Sequence, residues 1–175
     1  SFPTQRSSDL DFGVNAIAAR ELTKDWSNAG KYLGNILIIR FLFSLLIIAL
    51  LSVVLKFFPY SPELRMGITL GLFILLTQSL YSTANIFFQV KLRYDFSTIA
   101  YILGYVVIFI LILVLSKSNA DIMWVNFSYV IGGIITFVVS LLFLRKMGVT
   151  PDFSLDKNLL KYLFSASLPI GIMFI

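Results

Sequence analysis

Charged residues are spaced along this chain so as to leave long apolar gaps. Arg65 and Lys91 bracket 25 uncharged residues, Asp95 and Lys117 bracket 21, and Asp121 and Arg145 bracket 23. An earlier run from Leu33 to Leu55 holds one charge, Arg40. Crossing a bilayer core about 30 Å thick takes roughly 20 apolar residues in a helix. The pattern therefore predicts four membrane-spanning helices, at about 33–56, 66–90, 96–116 and 123–144. Pro59 and Pro62 end helix propagation between the first two. The short polar segments at 91–95 and 117–121 make antiparallel hairpins of the following pairs. The fold class expected is an all-α polytopic membrane protein, an antiparallel transmembrane helix bundle.

The flanks carry weaker patterns. Leu10 to Ala19 is mildly apolar, suits the end of a helix, and precedes a charged stretch, Arg20 to Lys31, that can continue as helix. Within that stretch like charges recur four apart, Arg20 with Lys24 and Glu21 with Asp25, so opposite charges do not pair at that spacing. Trp26 and Tyr32 are placed for an interfacial aromatic belt. In the segment 145–161, Leu155, Leu159, Leu160 and Leu163 share a helical face, predicting an amphipathic linker helix on the membrane surface. Residues 162–175 read as a fifth span cut short, loosened by Pro169 and Gly171. Residues 1–10 resemble the translation of a short sequencing adaptor and are set apart as a non-native leader. Residues 11–32 then read as the end of a truncated helix plus its following segment.

Composition changes this picture little. Hydrophobic residues make up 58% and charged residues 13%, against about 25% charged in soluble domains. The net charge of +5 is a topology signal rather than a nucleic-acid footprint. Alternating spans put Arg6, Arg20, Lys24, Lys31, Lys91, Arg93, Arg145, Lys146, Lys157 and Lys161 on one side. Lys56, Arg65 and Lys117 fall on the other. The positive-inside rule makes the N-terminal segment and loops 91–95 and 145–161 cytoplasmic, in a multi-pass protein of the cell membrane. Cysteine and histidine are absent, and every acidic residue lies in a loop or terminus. No catalytic residue, metal site or cofactor is expected, and no enzyme activity.

Polar side chains inside the spans are the candidate chemistry, because lipid tolerates them only at a cavity or a helix contact. Arg40 suits a phosphate-type or carboxylate anion through charge-assisted, bidentate bonds. It equally suits snorkelling to the nearby interface. Gln78, Ser82, Asn85 and Gln89 share one face of the second span and suit either the lining of a hydrophilic cavity or interhelical hydrogen bonds. Asn126 reads as interfacial, and Gly104, Gly132 and Gly133 as close-packing positions.

Several motifs together resemble one family. Asp11-Phe12-Gly13-Val14-Asn15 with Ala19-Arg20-Glu21-Leu22 is similar to the end of the second helix of oligosaccharide flippases. Lys31-Tyr32-Leu33-Gly34-Asn35 is similar to the opening of their third, and Ile86-Phe87-Phe88-Gln89 to the close of their fourth. Leu160-Lys161-Tyr162 with Ser167-Leu168-Pro169-Ile170-Gly171 resembles the opening of their seventh. The chain thus resembles the polysaccharide transporter, O-antigen flippase-like branch of the superfamily that also holds multidrug exporters. The resemblance implies a partial lobe of a 12–14-helix fold whose C-terminal lobe is a missing partner. It implies movement of lipid-linked oligosaccharide (undecaprenyl-pyrophosphate-linked) from the cytoplasmic to the outer leaflet by alternating access. The partners implied are membrane lipid and that substrate, without nucleic acid. A multidrug-type exporter of the same superfamily and a non-transporting scaffold of a glycan-synthesis complex are the alternatives. A membrane acyl- or glycosyltransferase is a weaker one, lacking the histidine or paired acids it would need.

Overall fold

The computed structural model describes residues 14–117 and 122–172. The leader 1–10, the motif residues 11–13, the turn at 118–121 and residues 173–175 lie outside the described residues. Six α-helices follow in order: α1 Val14–Lys24, α2 Ala29–Val54, α3 Pro62–Val90, α4 Tyr94–Lys117, α5 Ile122–Lys146 and α6 Lys157–Ile172. Four of them, α2 through α5, are long and apolar enough to cross a membrane. The chain is an all-α, multi-pass membrane protein, and its four spans fall within a few residues of those expected from the charge gaps.

The spans expose large apolar side chains over much of their surface, among them Phe41, Leu42, Leu46 and Leu50 on α2 and Ile102, Phe109 and Ile110 on α4. In water such exposure would be a liability; in lipid it is the normal solvent contact. α3 and α4 each lie close along α5, while α2 and α1 pack on the other side of α3. The backbones of α3 and α4 approach one another little, so a groove floored by α5 opens between them.

Small residues set the α5 contacts. A side-chain carbon added at Gly104 would run into the Thr136 side chain and come within 2.9 Å of the Gly132 carbonyl. One added at Gly132 would strike Ile108, and one at Gly133 would strike Thr77. These three glycines let α4 and α3 close on α5, as their positions in the sequence suggest. Ser128, Thr136 and Ser140 on α5 are buried and donate to carbonyls four residues back, at Trp124, Gly132 and Thr136. Their hydroxyls are thereby satisfied without water.

Helix ends are marked by specific residues. Ser61 caps α3 by accepting from the Leu64 N–H, with Pro62 in the first turn. α5 closes in a Schellman motif: the Val149 N–H donates to the Leu144 carbonyl, and Gly148 takes φ +77°. α3 closes the same way, with the Arg93 N–H on the Phe88 carbonyl, but its left-handed residue is Leu92 at φ 54°.

Two local expectations are corrected. Arg20 to Lys31 is not one helix. Asp25 breaks it by accepting from the Ser27 N–H and hydroxyl and from the Asn28 side chain, and α2 starts at Ala29. A carboxylate that bonds the following backbone competes with helical bonding, which is how aspartate ends helices. Those bonds hold the Asp25 carboxyl below its ordinary pKa. The segment 145–161 is not an amphipathic surface helix either. Residues 149–156 are non-helical, Leu155 is exposed, and a single helix starts at Lys157 and runs through Pro169 to Ile172.

Candidate functional site

The largest buried apolar cluster gathers where the basic helix ends meet. Ile17, Leu22, Leu33, Ile36, Phe87, Phe88, Leu144 and Leu163 come from five helices and are all buried. Cations rest on aromatic faces at the rim: Lys91 sits 4.2 Å from the centre of the Trp26 ring, and Arg93 sits 3.8 Å from that of Phe96. Trp26 lies edge-on to Phe87, so it joins the core while facing the boundary its sequence position suggested. Glu21 accepts from Lys24, Arg20 and the Tyr162 hydroxyl, linking α1 to α6, and these bonds lower its carboxyl pKa.

Asn35 is the residue of this end that sequence reasoning underused. It is fully buried; its amide nitrogen donates to the Lys31 and Ser154 carbonyls, and its oxygen accepts from the Asp156 N–H. The Asp152 N–H donates to the Gly30 carbonyl, and the backbone of Thr150 and Asp152 lies against Gly30 and Gly34. The stretch from Gly30 to Asn35 is thus a cradle for the strap at 150–156. The motif Lys31-Tyr32-Leu33-Gly34-Asn35 contained the signal, a small residue beside a buried amide. A recess of about 430 Å³ opens beside this cradle, lined by Trp26, Lys31, Thr150 and Asp152.

Arg40 does not snorkel. It is 9% exposed and turns across the bundle onto α3. One guanidinium nitrogen donates to the Ser79 carbonyl at 2.9 Å and the Thr83 hydroxyl at 3.0 Å. The other donates to Asn15 Oδ1 at 2.7 Å, and the Asn15 amide reaches the Ser82 hydroxyl at 3.4 Å. Arg40 therefore ties α1, α2 and α3 together at a depth where a lone guanidinium would be costly.

The four polar residues of α3 do share a face. That face lies between the contacts with α1 and α4: Thr77, Leu80, Ala84, Phe87 and Phe88 beside it are buried, while Gln78 and Gln89 are exposed. Ser82 meets Asn15 at one edge of the strip. Asn85, at the other edge, accepts from the Ser97 hydroxyl of α4 at 2.8 Å. Ser97 has one O–H and gives it to Asn85, so the Tyr81 hydroxyl, 2.9 Å from Ser97, is the donor to it. The structure brings Arg40 and Ser82 together through Asn15, and leaves Gln78 and Gln89 on the open surface.

What the sequence reading missed is the matching stripe on α4. Ser97, Tyr101 and Tyr105 recur every four residues, so they share a face. Antiparallel pairing sets Ser97 by Asn85 and Tyr101 by Tyr81, whose ring centres are 5.8 Å apart. Tyr105 and Gln78 then line the same small cavity, about 60 Å³, over the glycines of α5. The period of four was legible; its meaning was not, because serine and tyrosine do not stand out in an apolar helix.

Asn126, expected to be interfacial, lies near Gly67 in the α3–α5 contact. Among the described residues, no group of three His, Cys, Asp or Glu side chains is placed to hold a metal ion.

A family model described as polysaccharide biosynthesis protein matches residues 10–174. The chain belongs to the polysaccharide biosynthesis protein family. No curated protein and no solved structure gives a significant match. Membership places this multi-pass protein in the making or export of polysaccharide, in agreement with the motif resemblance.

Proposed function

We propose that this member of the polysaccharide biosynthesis protein family translocates lipid-linked oligosaccharide from the cytoplasmic to the outer leaflet by alternating access. One observation carries the reading: α3, a helix long enough to span the membrane, carries a polar strip, Gln78, Ser82, Asn85 and Gln89, of which Gln78 and Gln89 are open to the surface. An uncovered amide at the mid-span depth of Gln78 is costly in lipid, so the strip belongs at a water-filled path or a substrate. Transporters of this general kind bind near the midplane and rock helix bundles around the site. In this reading the strip offers hydrogen bonds to sugar hydroxyls as the head group crosses. Arg40 acts as a positioning residue, fixing α1 and α2 to the back of the strip through Asn15 and Thr83. The basic end of the bundle faces the cytoplasm. The protein makes and breaks no bond and uses no cofactor.

The test is translocation of a fluorescent lipid-linked oligosaccharide in proteoliposomes. The wild-type protein in its natural gene context should expose the probe to an outside quencher. Arg40→Ala should slow this about tenfold or more, the loss of roughly 1.4 kcal/mol, with membrane insertion unchanged. Equal loss of insertion and translocation would make Arg40 a packing residue only. No translocation by the wild type would favour the scaffold reading, and efflux of organic cations instead would favour the exporter.

A further inference from the structure

Tyr101 and Tyr105 lie in an unusual place. Tyrosine in a membrane protein ordinarily marks the headgroup boundary. Tyr94, at the start of α4, fits that habit. Tyr101 and Tyr105 lie about 10 and 16 Å further along the helix axis, at 1.5 Å per residue, and Tyr105 is near the middle of a 30 Å hydrocarbon core. Tyr81 on α3 and Tyr129 on α5 enter the same groove. Four tyrosines from three helices converge at a depth where a hydroxyl needs a reason.

The groove has a definite chemistry. Its lining side chains include no charge. Tyr101 and Tyr105 are in ring contact, with centres 4.6 Å apart, and remain 39% and 50% exposed. Their hydroxyls bond each other at 2.9 Å. Two hydroxyls making one bond leave one O–H and several lone pairs to offer outward. The Gln78 amide is exposed beside them and adds donors and an acceptor. A phosphate would need cations that the groove lacks, and an acyl chain would leave the hydroxyls and the amide unsatisfied. A neutral ring with an apolar C–H face and a rim of hydroxyls satisfies both the aromatic faces and the polar tips.

We propose that the α3–α4 groove, with Tyr101, Tyr105 and Gln78 as its walls, is a saccharide subsite that holds a neutral sugar ring of the translocated glycan. The subsite rests on the function proposed above and specifies where the glycan is gripped. Asn85, Ser97 and Tyr81 bond one another across α3 and α4 and hold the wall against which Tyr101 and Tyr105 stand, leaving those two hydroxyls and the Gln78 amide to meet the sugar. The small cavity over Gly132 and Gly133 leaves the α3–α4 contact dependent on side chains, so it can part around a ring without breaking backbone packing.

Binding in lipid nanodiscs tests this with two probes, lipid-linked oligosaccharide extracted from host membranes and polyprenyl pyrophosphate bearing no sugar. Tyr101→Leu with Tyr105→Leu should weaken the sugar-bearing probe about tenfold or more and leave the sugar-free probe unchanged. Tyr101→Phe with Tyr105→Phe keeps the rings and the packing and should weaken the first probe about fivefold, one hydrogen bond's worth. This conservative pair keeps the test open if the leucine variant misfolds. Unchanged affinity of the phenylalanine pair and the leucine pair for the sugar-bearing probe, or equal losses on both probes, would overturn the subsite alone. Failure of the wild type to bind either probe would overturn the subsite and the transport reading together.

Discussion

At the scale of single residues, the buried polar side chains of Asn35 and Arg40 are held rather than stranded. Asn35 spends both ends of its amide on the backbone, and Arg40 reaches two helices at once. Sequence showed that Arg40 was misplaced in lipid but not which way it turned. The direction depends on Asn15, Ser79 and Thr83, which are 25 to 43 residues away. One residue departs from local preference. Leu92 holds the left-handed position that ends α3, where glycine is usual, and its side chain is exposed with little packing to lose. The left-handed conformation costs an L-residue roughly 1–2 kcal/mol. Leu92→Gly should therefore stabilise the protein by about 1 kcal/mol, part of the gain being returned as unfolded-chain entropy. Thermal unfolding in detergent checks this; a lower midpoint would show that the Leu92 side chain contributes more than its backbone costs.

At the scale of elements, helix contacts follow from what is small. Gly104 and Gly71 are both helical glycines, in α4 and α3, with opposite surroundings. A methyl at Gly104 has no room against Thr136 and Gly132, whereas one at Gly71 meets nothing within 4 Å. Gly104→Ala should destabilise by about 1–3 kcal/mol through overpacking of α4 on α5. Gly71→Ala should be neutral or stabilising by up to about 1 kcal/mol, the ordinary helix preference. Measuring the pair in one unfolding assay separates packing from propensity, and equal effects would refute the close α4–α5 approach. The strap at 150–156 shows the same logic from the other side. The leucines at 155, 159, 160 and 163 suggested one surface helix, but only the last three fall in α6, and Asn35 with the glycines at 30 and 34 holds 150–156 as a non-helical strap. Two hydrogen bonds from one buried side-chain amide to the strap backbone outweigh a weak amphipathic pattern.

At the scale of the whole molecule, the basic helix ends converge on the largest apolar cluster, while the opposite halves of the spans are more open to lipid. Lys31, Lys91, Arg93, Arg145, Lys146 and Lys157 ring one end; Lys56, Arg65 and Lys117 stand at the other. The sidedness proposed from this bias is open to direct labelling, because the sequence contains no cysteine. A cysteine placed at Lys91 should react with a membrane-impermeant maleimide only after the cells are opened. One placed at Ser61 should react in intact cells. The reverse pattern would invert the topology and with it the direction of transport.

The spans, their order and their one-sided charge were set by the sequence by itself, because hydrophobic length and loop charge are local quantities that a bilayer reads segment by segment. The family was legible too, in short motifs spread from residue 11 onward, and the match over residues 10–174 agrees with it. Tertiary structure alone decided which helices touch, where Arg40 points, and that the α4 tyrosines meet the α3 polar strip. The physical reason is that α2 to α5 are apolar nearly all round, so no single hydrophobic face announces a partner. Partner choice falls instead to glycines, hydroxyls and amides whose significance exists only once a second helix is beside them.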